Sequence, residues 1–368
     1  MNKNFNRSSL LKVYIFTIMF VFITFSGYIY KDSTTERGIT TVAKADEIKE
    51  RKKVYVGGEP LGIKINTKGL LVIGVADIET IDGIKTSPAV KAGIQIGDSI
   101  LKISGKTIKT SEDIGRIINE NKGKEMELEI ERKEKIFIKK ITPIKSKLDD
   151  SFKIGMWVRD SSSGIGTLTF YDKENSVYGA LGHGISDMDT GNIVKIGNGE
   201  IITSEIIAVR KSSEGNPGEL KGIFKPNREK LGNIKINNIC GIFGQYTGEF
   251  QTKKDYKQPL EIAYQDEIKE GKAKIYTTVS GEGPKLYDIE IEKLNHQEMP
   301  NSKSMLIKIT DRELLEKTGG IVQGMSGSPI IQDNRIVGAV THVLVNKPNS
   351  GYGIYIDWMI KESKKVNK

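Results

Sequence analysis

Apolar and polar positions change rhythm three times along the chain. The first run, VYIFTIMFVFITFSGYIY, places 18 uncharged residues between Lys12 and Lys31. That length can just span a bilayer, and Lys3, Arg7 and Lys12 before it would keep the amino end in the cytoplasm. Residues 1–30 therefore read as a membrane anchor that leaves the rest of the chain outside. A cleaved signal peptide is the rival, although the nearest A-x-A, Ala43-Lys44-Ala45, lies well beyond the run. Residues 31–53 are polar, lack apolar periodicity and read as a tether.

From Val54 to Lys145 the rhythm becomes that of a small α+β unit. The runs LGIKI, LLVIGVADI and EMELEIERKEKIFIKKI predict strands, and Ser111 opens a helix whose Ile114, Ile117 and Ile118 share one face. The stretch SPAVKAGIQIGDSILKISGKTI resembles a PDZ domain, with Ala92-Gly93 closing a short helix and Gly97-Asp98 turning into a strand. The resemblance implies a carboxylate-binding loop on EPLGIKI. Leu61, Gly62 and Ile63 would there offer N–H groups to an incoming peptide terminus, or to another part of this chain, added as a strand. A β unit acting only as spacer is the alternative.

Residues 146–368 repeat strand, turn, strand. Stretches such as GIGTLTFY, VYGALGHGI, IITSEIIAVR and RIVGAVTHVLV are short, rich in β-branched residues and separated by Gly, Asn, Asp or Pro. Many short strands without long helices predict a barrel or sandwich, so the chain as a whole is expected to be mainly β.

Composition narrows the function. With 368 residues, 37% hydrophobic and 39 glycines, the chain can bury cores in turn-rich β structure. The net charge of +9 is spread through interleaved signs, as in EIERKEKIFIKK, so a nucleic-acid partner is not expected, whereas a basic surface suits anionic lipid. The lone Cys240 excludes an internal disulfide and a zinc cluster and reads as a core residue. Neither a metal nor an organic cofactor is expected.

The chemistry concentrates in GGIVQGMSGSPI. Gly319 to Ser326 fits the spacing of a P-loop, but Met325 stands where a phosphate-binding lysine is required. The better reading is a nucleophile. Ser326 is flanked by glycines that let a substrate approach, and the N–H groups of Gly324 and Ser326 can converge on an oxyanion. A base working near neutral pH must be one of three histidines, His183, His296 or His342. His183 is the preferred one, set among small residues in GALGHGI, and His296 lies in a polar loop. Spacing leaves open which of Asp187, Asp189, Asp255, Asp266, Asp288 and Asp311 would orient the base.

The stretches GALGHGISD, ITDRELLEKTGGIVQGMSGSPI and VGAVTHV resemble the SpoIVB peptidase family, membrane-anchored, PDZ-containing serine peptidases of endospore formers. The likeness covers nearly the whole chain and implies a chymotrypsin-like double β-barrel with a triad on His183, Asp311 and Ser326. Asp311 has a plainer alternative as the cap of the helix RELLEK. In chymotrypsin-like folds the strand after the nucleophile passes the specificity pocket, which implies that His342 and Thr341 line it. The family role would be cleavage of a membrane protein's ectodomain, and of the chain itself, between forespore and mother-cell membranes, leading to activation of a mother-cell sigma factor. The competing hypothesis is a binding protein in which GMSGSP is only a turn.

Overall fold

The computed structural model describes residues 51–224, 229–251 and 255–368. The expected anchor and most of the tether lie outside them. Among the described residues no helix is long and apolar enough to cross a membrane.

The first half is an open sheet. Strand β1 (Lys53–Val56) is followed by the long β2 (Pro60–Val75). Next come the short helix α1 (Pro88–Lys91), β3 (Ser99–Ile103), helix α2 (Ser111–Glu120), and the hairpin β4 (Met126–Arg132) and β5 (Lys135–Ile141). A second long strand, β6 (Met156–Asp172), leads to β7 (Val177–Ala180), β8 (Ile196–Arg210), β9 (Glu219–Phe224) and β10 (Gly241–Gln245). Helix α2 buries Ile114, Ile117 and Ile118 as its spacing predicts. Its cap is Thr110, which exchanges capping-box hydrogen bonds with Asp113.

The second half is a closed six-stranded barrel: β11 (Gly271–Thr277), β12 (Lys285–Leu294), β13 (Met305–Ile309), β14 (Pro329–Gln332), β15 (Arg335–Leu344) and β16 (Lys347–Tyr355). Pairing of Lys274 and Ile275 with Ile331 and Ile330 closes it. Helix α3 (Arg312–Thr318) lies between β13 and β14, and α4 (Ile356–Ser363) follows β16. Asp333 and Asn334 form the hairpin between β14 and β15, both residues having positive φ, as a tight turn between right-twisted strands requires. Cys240 is buried in the core against α4, and burial pushes its thiol up to about 12.

Three expectations need correction. Among the described residues only one barrel is closed; its companion is an open sheet. The PDZ unit does not begin at Val54, because Val54 and Val56 pack with the peptidase core. The sheet partners of β2 change near Asn66: residues before it pair with Ser161–Thr167 of β6 and with β8, and residues from Leu70 onward pair with β3 and with Met156–Arg159. The PDZ unit is thus an insertion carried on β2 and β6, and its far boundary lies beyond Ser146, near Arg159. Leu61, Gly62 and Ile63 are also not a peptide-binding loop. They sit mid-sheet, paired with β6 on one side and β8 on the other, which leaves no free edge for an added strand.

Candidate active site

The nucleophile turn is built by conformational demand at two glycines. Gly324 has φ 98° and Gly327 has φ 96°, left-handed values that a side chain resists. A Cβ on Gly327 would collide with the backbone at Thr167 and Leu181. Between them Met325 is fully buried as an anchor, which turns Ser326 outward. Ser328 serves the turn rather than the chemistry: it is buried, and its hydroxyl is bonded to Met325 O at 2.6 Å and Thr277 Oγ1 at 2.8 Å. Thr167 of β6 fastens the other side, its Oγ1 donating to Gly324 O (2.7 Å) and its N–H to Ser326 O (3.0 Å). Among the described residues no acceptor takes the N–H of Gly324 or Ser326, so the pair expected to form an oxyanion hole is uncommitted.

His183 follows β7 after Leu181 (φ 70°) and Gly182 (φ 68°), a backbone reversal that costs strain at Leu181 and carries His183 into the cleft that Ser326 also lines. Its Nδ1 lies 2.9 Å from Gly184 O. A carbonyl only accepts, so Nδ1 carries the proton and Nε2 keeps its lone pair. Burial pushes the imidazole below its ordinary pKa, with the Gly184 carbonyl opposing, so His183 is neutral at physiological pH. The loop beyond is pinned by Asn237, whose side chain bonds Ile185 N (2.7 Å), Ile185 O and Val194 O (both 2.9 Å). Arg159 of β6 pairs with Asp187 and Asp189 of the same loop.

His183, Gly324, Ser326 and His342 share one cleft of about 420 Å³. Ser326 Oγ donates to Thr341 O at 2.7 Å, and the rings of His183 and His342 are stacked at 4.7 Å. The rest of the sequence reading separates. Thr341 contributes only its carbonyl, since its buried hydroxyl donates to Ser302 O (2.8 Å) and Tyr352 O (3.1 Å). Asp311 does not reach the cleft. It is the N-cap of α3, its Oδ1 accepting from Leu314 N at 3.0 Å and its Oδ2 from Asp288 N at 3.2 Å. His296 is an exposed residue near Asp266. Sequence reasoning missed Thr167, Arg159 and Asn237, which act through pairings that no local pattern announces. Among the described residues no cluster of three or more His, Cys, Asp or Glu could hold a metal ion.

The family model of the SpoIVB peptidase S55 matches residues 150–360, more than half of the chain. The chain belongs to the SpoIVB peptidase S55 family. As a SpoIVB peptidase it is a serine peptidase, and a PDZ domain match over residues 80–132 falls within the inserted unit. A protein of Bartonella henselae named as a zinc metalloprotease is 35% identical over 95 residues, covering 25% of this chain and 26% of that protein. The chain thus spans about a quarter of that curated relative. Two solved proteases are distant likenesses. The active form of a protease from M. tuberculosis has 10% identity and TM-score 0.33, over 56% of this chain and 74% of its own. The HtrA-type protease AlgW with a decapeptide has 11% identity and TM-score 0.32, over 58% and 54%. Neither is close enough to bear on the mechanism.

Proposed function

We propose that Ser326 is the nucleophile and His183 the general base of an endopeptidase acting on an extracytoplasmic segment of a membrane protein. The observation that carries this is the meeting of Ser326, a neutral His183 and two uncommitted N–H groups in one cleft. The Ser326 hydroxyl turns from Thr341 O toward His183 Nε2 and attacks the scissile carbonyl as its proton passes to Nε2. The N–H groups of Gly324 and Ser326 hold the oxyanion. His183 gives the proton to the leaving amine, and a water activated by the same base hydrolyses the acyl-enzyme.

The apolar run of residues 13–30 with its basic flank supports attachment to a membrane, with the peptidase outside. The polar residues 31–53 are an accessible self-cleavage segment, since such a stretch can enter a cleft without unfolding a domain. Family membership supports a role in sporulation signalling between forespore and mother cell, upstream of a mother-cell sigma factor. The PDZ unit would take a peptide of the substrate or of this chain.

A fluorophosphonate probe tests the core of the proposal. Wild-type protein should be labelled on Ser326 and lose peptidase activity, and Ser326→Ala should take no label. An unlabelled, inactive wild type would leave a binding protein whose glycine-flanked serine is only a turn.

A further inference from the structure

The cleft holds a base without a carboxylate. Its lining contains no Asp or Glu. Asp311 is spent on two backbone N–H groups. Asp187, buried on the base's own loop, accepts from Asp189 N (3.1 Å) and Thr190 N (2.8 Å) and is paired with Arg159. What lies against His183 is a second imidazole, with ring centroids 4.7 Å apart and planes inclined by 36°. That ring belongs to His342, the residue after Thr341, whose carbonyl receives the Ser326 hydroxyl. Two consecutive residues of β15 therefore touch both the nucleophile and the base.

We propose that His342 is the positioning residue of the catalytic base, its neutral ring stacking on His183 and fixing the plane in which Nε2 meets the Ser326 hydroxyl. The work of a triad aspartate is then divided. The Gly184 carbonyl selects the tautomer, and the stacked ring restricts rotation of the imidazole. The separation and tilt suit offset aromatic packing. A ring beside a base that becomes cationic during acylation must itself stay uncharged. His342 is exposed to the solvent of the cleft, yet the protein packed around it, His183 and Lys303 push its imidazole down, to about 4. Lys303 is the charged side chain that acts on the His342 ring, and burial holds His183 below its ordinary value. This role rests on the Ser326–His183 reading above.

The test uses the full-length protein and the rate of fluorophosphonate labelling from pH 5 to 9, a readout that needs no substrate side chain in the pocket. His342→Ala should slow labelling by about 10- to 100-fold and move the acid limb upward toward the ordinary histidine value, because water then reaches His183. His342→Phe keeps an aromatic ring and should rescue the rate to within about threefold of wild type without that shift. Labelling of His342→Ala at the wild-type rate would overturn the role. So would a His342→Phe protein that is folded by thermal melting yet as slow as His342→Ala. An unchanged labelling rate with an altered cleavage preference on a quenched peptide library would make His342 a specificity residue instead. Persistent labelling of Ser326→Ala would bring down the nucleophile assignment and this role with it; lost labelling there, with His342→Ala unaffected, would remove the positioning role alone.

Discussion

The closed barrel supplies the nucleophile and the open sheet supplies the base, and the two halves hold their residues by different means. Ser326 sits on a turn forced by two left-handed glycines, anchored by a buried methionine and locked by a buried hydroxyl. Nearly everything that shapes it is backbone and core. His183 sits on a loop whose position depends on one asparagine side chain and an Arg159 ion-pair set. Backbone-defined geometry persists as long as the barrel is folded, whereas side-chain tethers can yield while the fold remains. The nucleophile is therefore a property of the barrel, and the base is conditional on its neighbours.

Each half of that contrast can be broken separately. The largest effect is expected from Gly327→Ala, since a Cβ would strike backbone at Thr167 and Leu181 and φ would remain left-handed. A stability loss of about 2 kcal/mol or more, with labelling of Ser326 abolished, is the expected outcome by thermal melting and probe. A well-folded, active variant would show that the turn is not backbone-defined. Asn237→Ala attacks the other side. It removes three bonds to the base loop, and labelling should fall about tenfold or more while the melting midpoint moves only a few degrees. Equal damage to both readouts would erase the distinction between the halves.

Acid should discriminate as well. His183 and His342 both have depressed pKa values in the folded protein, the latter about 4, so the unfolded chain binds more protons than the folded one between the ordinary histidine value and about 4. Their contribution to stability is complete above about 6.5 and is lost as pH falls through that window. Denaturant midpoints should decline on acidification, and His342→Phe should flatten the decline. A slope identical to wild type would show that His342 is not held neutral by the fold. The smallest effect belongs to Asp311→Asn. Asparagine still caps helices, so stability should change by no more than about 1 kcal/mol and labelling by less than about twofold. A loss approaching the 10⁴-fold expected of a triad aspartate would restore Asp311 to catalysis.

Features confined to a few consecutive residues were legible before the fold was known. The Ser326 turn and the isoleucine face of α2 each follow from local sterics or periodicity. What failed was partnership. Alternation in LGIKI and LLVIGV states that a strand has two faces, but not which strands pair with its edges. The first part of β2 therefore passed for a PDZ loop while pairing inside the peptidase. Asp311 failed for a related reason, because an aspartate before RELLEK has the same local signature whether it caps the helix or faces a histidine. The stack of His342 on His183 joins residues far apart in sequence, and nothing around either announces the other.

The two shared strands have a consequence for dissecting this molecule. Asn66 and Ser161 face each other across β2 and β6, and the whole PDZ unit occupies the chain between them. In topological terms it is the swollen tip of a β-hairpin. Cutting the chain at either edge of the sequence match would leave parts of the inserted unit, including Leu70–Val75 and Met156–Val158, hanging from the host, whereas joining Asn66 to Ser161 through a two-residue Asn-Gly turn would close the hairpin in its existing register. A short reverse turn also replaces a very long loop, and loop-closure entropy favours the shorter connection. The excised peptidase is thus a protein that the present strand pairing already specifies.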